Sequence, residues 1–267
     1  MQDDIKAVQD AVASAQPVQP VQPVPQLQPV LHRQRFASRR AAGQELAQVL
    51  RRTAWPHPVV LALPRGGVPV AAEVARALGA PLDLLMVRKI GAPGQPELAV
   101  AAMAWLGAGP AAVSTDSPDE PGPPPQTFVD AALLAATGAD QVHVDRGVAR
   151  EGPELARRRK RYLQGRHPVT LDGRTVILVD DGIATGTTLR AALKALKAIR
   201  ILGGRGPRAL VLAVPVAPAQ VLENLAGEVD AVVCLWTPAP FVAVGAHYRD
   251  FRQVSDEEVV AALAGQP

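Results

Sequence analysis

Cysteine is almost absent from these 267 residues: Cys234 stands alone, inside the apolar run Ala231-Val-Val-Cys-Leu235. One thiol cannot close a disulfide within the chain, and without a CxxC pair or a Cys/His cluster there is no zinc-site pattern. The histidines His32, His57, His143, His167 and His247 show no metal-ligand spacing either. No stretch approaches the ~20 uninterrupted apolar residues of a membrane span. Met1-Gln-Asp-Asp4 is acidic, with no apolar leader core behind it. The expectation is a soluble cytoplasmic protein without membrane contact. An excess of one charge is also missing: 28 basic residues face 25 acidic ones, for a net charge of +3. That balance fits an anionic small molecule and is too weak for nucleic acid. The basic run Arg157-Arg-Arg-Lys-Arg161 has only Tyr162 beside it as a stacking ring, so it reads as a solvated face or a subunit contact.

What is present is aliphatic. Hydrophobic residues make up 48% of the chain and aromatics 3%, a composition suited to an α/β domain whose strands are buried on both faces. Residues 1–31 stand apart as a Gln/Pro/Val tract. Proline removes donors and favours extended, solvated backbone, which predicts a disordered tail ahead of a domain over 32–267. From Ala37 the periodicity becomes regular. A helix with Ala41, Leu46, Val49 and Leu50 on one face leads to strand Val59–Leu63, helix Val68–Leu78 and strand Leu82–Val87. That βαβ unit predicts parallel strands. Residues 90–168 are irregular and read as an inserted hairpin and helical cap. The hairpin turns at Gly107–Pro110 between Ala99–Trp105 and Ala111–Ser114. Ser117–Gln126 follows as a Pro-rich mobile loop, and the helical stretch 140–164 is interrupted at Gly152-Pro153. Alternation resumes with strand Thr175–Val179, helix Thr187–Leu202, strand Ala209–Val214, helix Ala219–Leu225, strand Ala231–Leu235 and helix Asp256–Leu263. Five strands alternating with helices predict a doubly wound, mainly parallel sheet with its site at the strands' C-terminal ends.

Val176-Ile-Leu-Val-Asp-Asp-Gly-Ile-Ala-Thr-Gly-Thr-Thr188 is the most informative stretch. An apolar strand delivers two adjacent carboxylates, and a small-residue turn then opens into a helix. The free amides, Thr hydroxyls and positive dipole end suit a phosphate monoester. Asp180 and Asp181 would repel that phosphate. They suit vicinal hydroxyls or a hydrated Mg²⁺. Acids for hydroxyls beside amides for phosphate describe a sugar phosphate. Neither a P-loop Gly-Lys-Ser/Thr nor a G-x-G-x-x-G fingerprint is present.

The run resembles the motif of type I phosphoribosyltransferases that binds 5-phosphoribosyl-1-diphosphate (PRPP). Gly182 departs from it, since an apolar residue is commoner there. Leu61–Pro69, Met86–Glu97 and Pro240–Gly245 are similar to a bacterial group known only as predicted phosphoribosyltransferases. The resemblance implies that Asp180 and Asp181 contact the ribose, that Thr185, Gly186, Thr187 and Thr188 wrap the 5′-phosphate, and that Ala184 belongs to the same substrate-binding turn. It implies Mg²⁺ as cofactor, with Asp180 and Asp181 as its protein contacts. PRPP and a small-molecule acceptor would be the partners, and a homodimer the assembly.

After the first strand, Arg65-Gly66-Gly67 allows backbone amides close to a ligand and adds a positive charge. In similar enzymes this loop holds the pyrophosphate, often through a cis peptide; it also reads as an ordinary Gly-rich turn. Arg88 and Lys89 end the second strand, where relatives have a mobile loop whose basic residues close on the pyrophosphate; they read equally as a pair of solvated charges. Glu97 lies further along that loop as a candidate general acid or base. Trp236 and Phe241, after the last strand, suit stacking on a planar base, and they suit equally an apolar loop packed against the sheet. Asp250 loosely matches the acids of the base-binding hood. Ala184 stands where 6-oxopurine enzymes have an Asp, which disfavours hypoxanthine and guanine. Two functions are expected from this reading. One is Mg-dependent transfer of phosphoribosyl from PRPP to a nitrogenous acceptor, such as a nucleobase in nucleotide salvage. The other is a non-catalytic PRPP sensor on the same fold. Hydrolysis or phosphorolysis of a phosphoribosyl compound is a related possibility.

Overall fold

A computed structural model of the chain describes residues 35–106, 125–163, 166, 169–202 and 206–265. The expected tail over 1–31, the turn at Gly107–Pro110 and the strand Ala111–Ser114 lie outside the described residues, as does most of the Pro-rich loop. Seven strands form one sheet: β1 (Pro58–Ala62), β2 (Leu82–Ala92), β3 (Gln95–Leu106), β4 (Gln126–Val129), β5 (Thr175–Val179), β6 (Ala209–Val216) and β7 (Ala231–Trp236). Their spatial order is β4-β3-β2-β1-β5-β6-β7. Every pairing from β2 through β7 in that order is parallel, whereas β2–β3 and β3–β4 are antiparallel. The expected five parallel strands are therefore extended by two antiparallel ones at one edge.

Helices α1 (Arg39–Leu50), α2 (Gly67–Leu78), α3 (Ala131–Thr137), α4 (Gln141–Leu163), α5 (Thr187–Leu202), α6 (Ala219–Ala226) and α7 (Asp256–Ala264) complete the fold, with a 3₁₀ turn at Val244–His247. Alternation along β1 sends Val60 and Ala62 into one core with Leu46 of α1, Val70 and Val74 of α2 and Val259 of α7. Val59 and Leu61 enter the opposite core with Leu193 and Leu196 of α5 and Leu225 of α6. Covering both faces explains why β5 is buried at all five residues. Each such Val or Leu contributes about 1.5–3 kcal/mol by burial. α1 starts at an N-cap whose Ser38 hydroxyl accepts from the Ala41 amide at 3.2 Å.

Three local expectations are corrected. The hairpin pairs β2 with β3 through Pro93-Gly94, and the other partner of β3 is β4. Arg88 and Lys89 do not end β2, which runs on to Ala92: β3 supplies ladder partners out to that point, Arg88 opposite Met103 and Lys89 opposite Ala102. The register shifts beside Gly91, where an added Cβ would stand 2.6 Å from Pro96 Cα. α4 continues through Gly152-Pro153 without a break. Packing holds it there, because Gly147 sits against Ile90 and His143 Nε2 lies 2.8 Å from the Gly91 carbonyl. Among the described residues no helix is long and apolar enough to cross a membrane.

Candidate active site

β1 and β5 are parallel neighbours, with Ala62 opposite Val179, so the turns that follow them open side by side. The first turn is Leu63–Gly67, with a cis peptide between Pro64 and Arg65. The second is Asp180–Gly186, leading into α5. The turns touch directly. A Cβ on Gly66 would stand 2.2 Å from Asp181 Oδ2, and one on Gly67 would stand 2.9 Å from Asp180 Cα and 2.8 Å from the Val179 carbonyl. The two glycines thus let the loop after β1 lie against the acid pair, a role their sequence position alone did not reveal. Gly182 is equally constrained: a side chain there would meet Val244 Cγ1 at 2.6 Å. That contact accounts for the departure from the resembled motif. Gly186 has φ +75, the left-handed region in which glycine is favoured.

A cavity of about 300 Å³ opens over this junction. Arg39, Arg65, Gly66, Asp180, Asp181 and Thr188 are among its lining residues, with Gln253 and Val254 closing one side. Asp180 Oδ1 accepts the Asp181 amide at 2.8 Å. Asp181 Oδ2 accepts Arg39 Nε at 2.6 Å, and its main-chain carbonyl accepts the Tyr248 hydroxyl. Burial, and then the adjacent Asp181 carboxylate, push Asp180 well above the usual carboxylate range. Burial raises Asp181 as well, while its bond to Arg39 pulls the other way. A half-buried acid pair with one guanidinium bound to Asp181 is ready to receive hydroxyl donors or a further cation. At the start of α5 the amides of Thr187 and Thr188 are of the kind a helix leaves open for an anion. Ala184 and Thr185 are exposed beside them, and the Thr185 and Thr187 hydroxyls are 3.2 Å apart.

Arg65 Nη1 lies 3.4 Å from Asp256 Oδ1 at the start of α7. The same carboxylate accepts the Tyr162 hydroxyl at 2.6 Å and faces Arg161 at 3.2 Å. The basic run at the end of α4 is therefore tied internally: Arg157 and Arg158 hold Glu154, and Arg161 also meets Glu257.

Not every expected site residue is found among the residues lining this cavity. Arg88 points toward Glu151 and Glu154 of α4 at 4.0 and 3.8 Å, and neither Arg88 nor Lys89 lines the cavity. Glu97 belongs to β3, and its side chain lies outside the described residues. Trp236 and Phe241 pack on a protein ring: their centroids lie 4.7 and 5.1 Å from that of His247. Asp250 accepts the Arg252 amide at 3.2 Å. The residues missed by sequence reading are Arg39, Tyr248, Gln253 and Asp256. Only tertiary packing brings them to the motif, and the one local hint was the Ser38 cap that places Arg39 at a helix start.

The phosphoribosyl transferase domain family matches residues 35–220. Two Mycobacterium tuberculosis proteins, Rv0571c (strain H37Rv) and MT0597 (strain CDC 1551), both named provisionally as phosphoribosyl transferases, are each 45% identical over 228 residues. Those residues are 85% of this chain and 46% of each relative, so the chain spans about half their length. The crystal structure of TT1426 from Thermus thermophilus is 42% identical and superposes with a TM-score of 0.70, covering 86% of this chain and 97% of that one. With the acid pair, the open helix start and the glycine loop gathered at one junction, the match is to fold and motif together: the chain belongs to the phosphoribosyl transferase domain family.

Proposed function

We propose that the chain binds PRPP over Val176–Thr188 and transfers its 5-phosphoribosyl group to a nitrogenous acceptor, with release of pyrophosphate. The observation that carries this reading is the convergence of Asp180, Asp181, Arg65 and Thr188 on one cavity. Asp180 and Asp181 accept hydrogen bonds from the ribose hydroxyls. The turn Ala184–Thr188 donates amides and hydroxyls to the 5′-phosphate. Arg65 and the Gly66-Gly67 backbone face the diphosphate. Positive charge grows at C1′ as the C–O bond to pyrophosphate breaks, and a guanidinium near the leaving group lowers the cost of its negative charge.

Magnesium fits this donor set: it is usually held by one or two carboxylates together with substrate phosphates. Asp180 and Asp181 would hold it, and when bound it neutralises charge on the leaving diphosphate. Among the described residues no cluster of three or more His, Cys, Asp or Glu forms a dedicated metal site. The acceptor would approach from the segment after β7, and Ala184 disfavours 6-oxopurines.

A second reading, a PRPP sensor without transfer, draws on the packing of Trp236 and Phe241 against His247, which occupies rings otherwise available for stacking on a base. The two readings separate when the protein is incubated with PRPP, Mg²⁺ and a panel of bases while pyrophosphate is measured. Release with one base supports transfer. Saturable PRPP binding lost in Asp181→Ala, without release for any base, supports the sensor. Absence of PRPP binding removes both.

A further inference from the structure

Arg39 sits at the first turn of α1, 142 residues before Asp181 in sequence, yet it is the most heavily anchored cation of the site. Its Nε donates to Asp181 Oδ2 at 2.6 Å and its Nη1 to the Arg252 carbonyl at 2.8 Å. The guanidinium lies over the Phe251 ring, 3.7 Å from the centroid. Only 11% of the side chain is exposed. A flexible surface arginine gains little from a carboxylate. One fixed by a stack, a carbonyl and a carboxylate has a single geometry to impose.

We propose that Arg39 is a positioning residue: it orients the Asp181 carboxylate so that the acid pair presents two oxygens to a vicinal diol. This rests on the sugar-phosphate reading of the site. Arg39 takes Asp181 Oδ2, and the Asp181 amide takes Asp180 Oδ1. One oxygen on each acid, Asp180 Oδ2 and Asp181 Oδ1, is left over from these two bonds for a ligand. Among the described residues, the other groups around Asp181 are engaged elsewhere. Tyr248 binds its main-chain carbonyl, Gly66 walls one side, and Arg65 across the cavity is turned to Asp256. A lysine at position 39 would keep the charge but could not bridge Asp181 and the Arg252 carbonyl in one plane.

The test uses the full chain as wild type, R39K, R39A, D181N and the doubles R39K/D181N and R39A/D181N. Affinities for PRPP, ribose 5-phosphate and 2-deoxyribose 5-phosphate are measured by calorimetry. R39K is expected to remain folded and to lose about 10–100-fold in PRPP affinity, the scale of loss seen when a group that orients a metal ligand is removed. It should also lose the wild-type preference for ribose over 2-deoxyribose, which a purely structural role would leave intact. In the D181N background R39K should cost nothing further. Wild-type discrimination in R39K, or an equal loss with and without the Asp181 carboxylate, overturns the proposal; the latter would make Arg39 a direct anion contact. Thermal unfolding without ligand separates this from the sugar-phosphate reading. If wild type binds none of the three compounds, that reading falls and the diol role of Arg39 falls with it; if wild type binds them and the unfolding free energies of R39A and D181N are additive, the Arg39 proposal alone is overturned.

Discussion

Gly66 and Asp181 are packed so closely that a Cβ on the glycine would overlap the carboxylate, 2.2 Å from Oδ2. The loop after β1 and the turn after β5 are therefore two halves of one object, and the absence of a side chain in one sets the position of the acid in the other. Gly66→Ala should displace the Asp181 carboxylate and break its bond to Arg39. PRPP affinity should fall at least tenfold, with a stability loss of about 1–3 kcal/mol from overpacking. Gly67→Ala meets backbone at Val179 and Asp180, which cannot swing aside, so its larger effect should be on stability. Chemical denaturation and calorimetry on both variants check the contrast.

Asp180 carries the cost of the site in the ligand-free protein. Its carboxyl titrates well above the usual range because it is buried and faces Asp181. Above the unfolded value of ~3.9 the native state still holds a proton that the unfolded chain has lost. Stability contributed by this group therefore declines as pH rises from there through the raised native value. Asp180→Asn should remove that decline and stabilise the free protein at neutral pH by ~1 kcal/mol or more, as relief of functional strain commonly does, while sharply weakening PRPP binding. Unfolding of both proteins across pH 4–8 tests this. A wild type that gains stability over the variant as pH rises would contradict it.

Asp256 links the loop after β1 to the rest of the protein. It faces Arg65 at 3.4 Å while accepting the Tyr162 hydroxyl at 2.6 Å. Asp256→Asn should free Arg65, weakening pyrophosphate binding more than ribose 5-phosphate binding, and should cost about 1–2 kcal/mol of stability. Tyr162→Phe removes a hydroxyl without touching Arg65. It should cost about 1 kcal/mol and leave the affinity ratio of the two ligands unchanged.

Cys234 provides a readout of β7. Burial pushes its thiol up to about 12, and its Sγ lies 3.3 Å from the Trp236 carbonyl. The thiolate is the reactive form, so at pH 8 the native protein should react with a thiol reagent at least tenfold more slowly than the denatured chain. Reaction at the denatured rate would mean that β7 opens freely.

The stretch from β5 into α5 was legible residue by residue because its chemistry is local. Four apolar residues, two acids and a small-residue turn are consecutive, and a strand's exit places them at the sheet edge whatever surrounds it. The parallel strands were legible for a similar reason, since aliphatic runs buried on both faces leave few other arrangements. Pairing and packing decided the rest. β2 runs past Arg88 and Lys89 to Ala92 because β3 folds back to supply hydrogen-bond partners, and no property of Arg88 or Lys89 announces that. α4 passes through Pro153 because contacts along β2 outweigh one missing amide. Arg39 reaches Asp181 across 142 residues because α1 packs onto α2 and the segment Phe251-Arg252 closes over the site. The Val176–Thr188 sequence by itself determined a strand that delivers two acids and a small-residue turn into a helix. The tertiary structure decided which cation holds its acids, because an ion pair between distant segments depends on distance and burial that neither segment encodes.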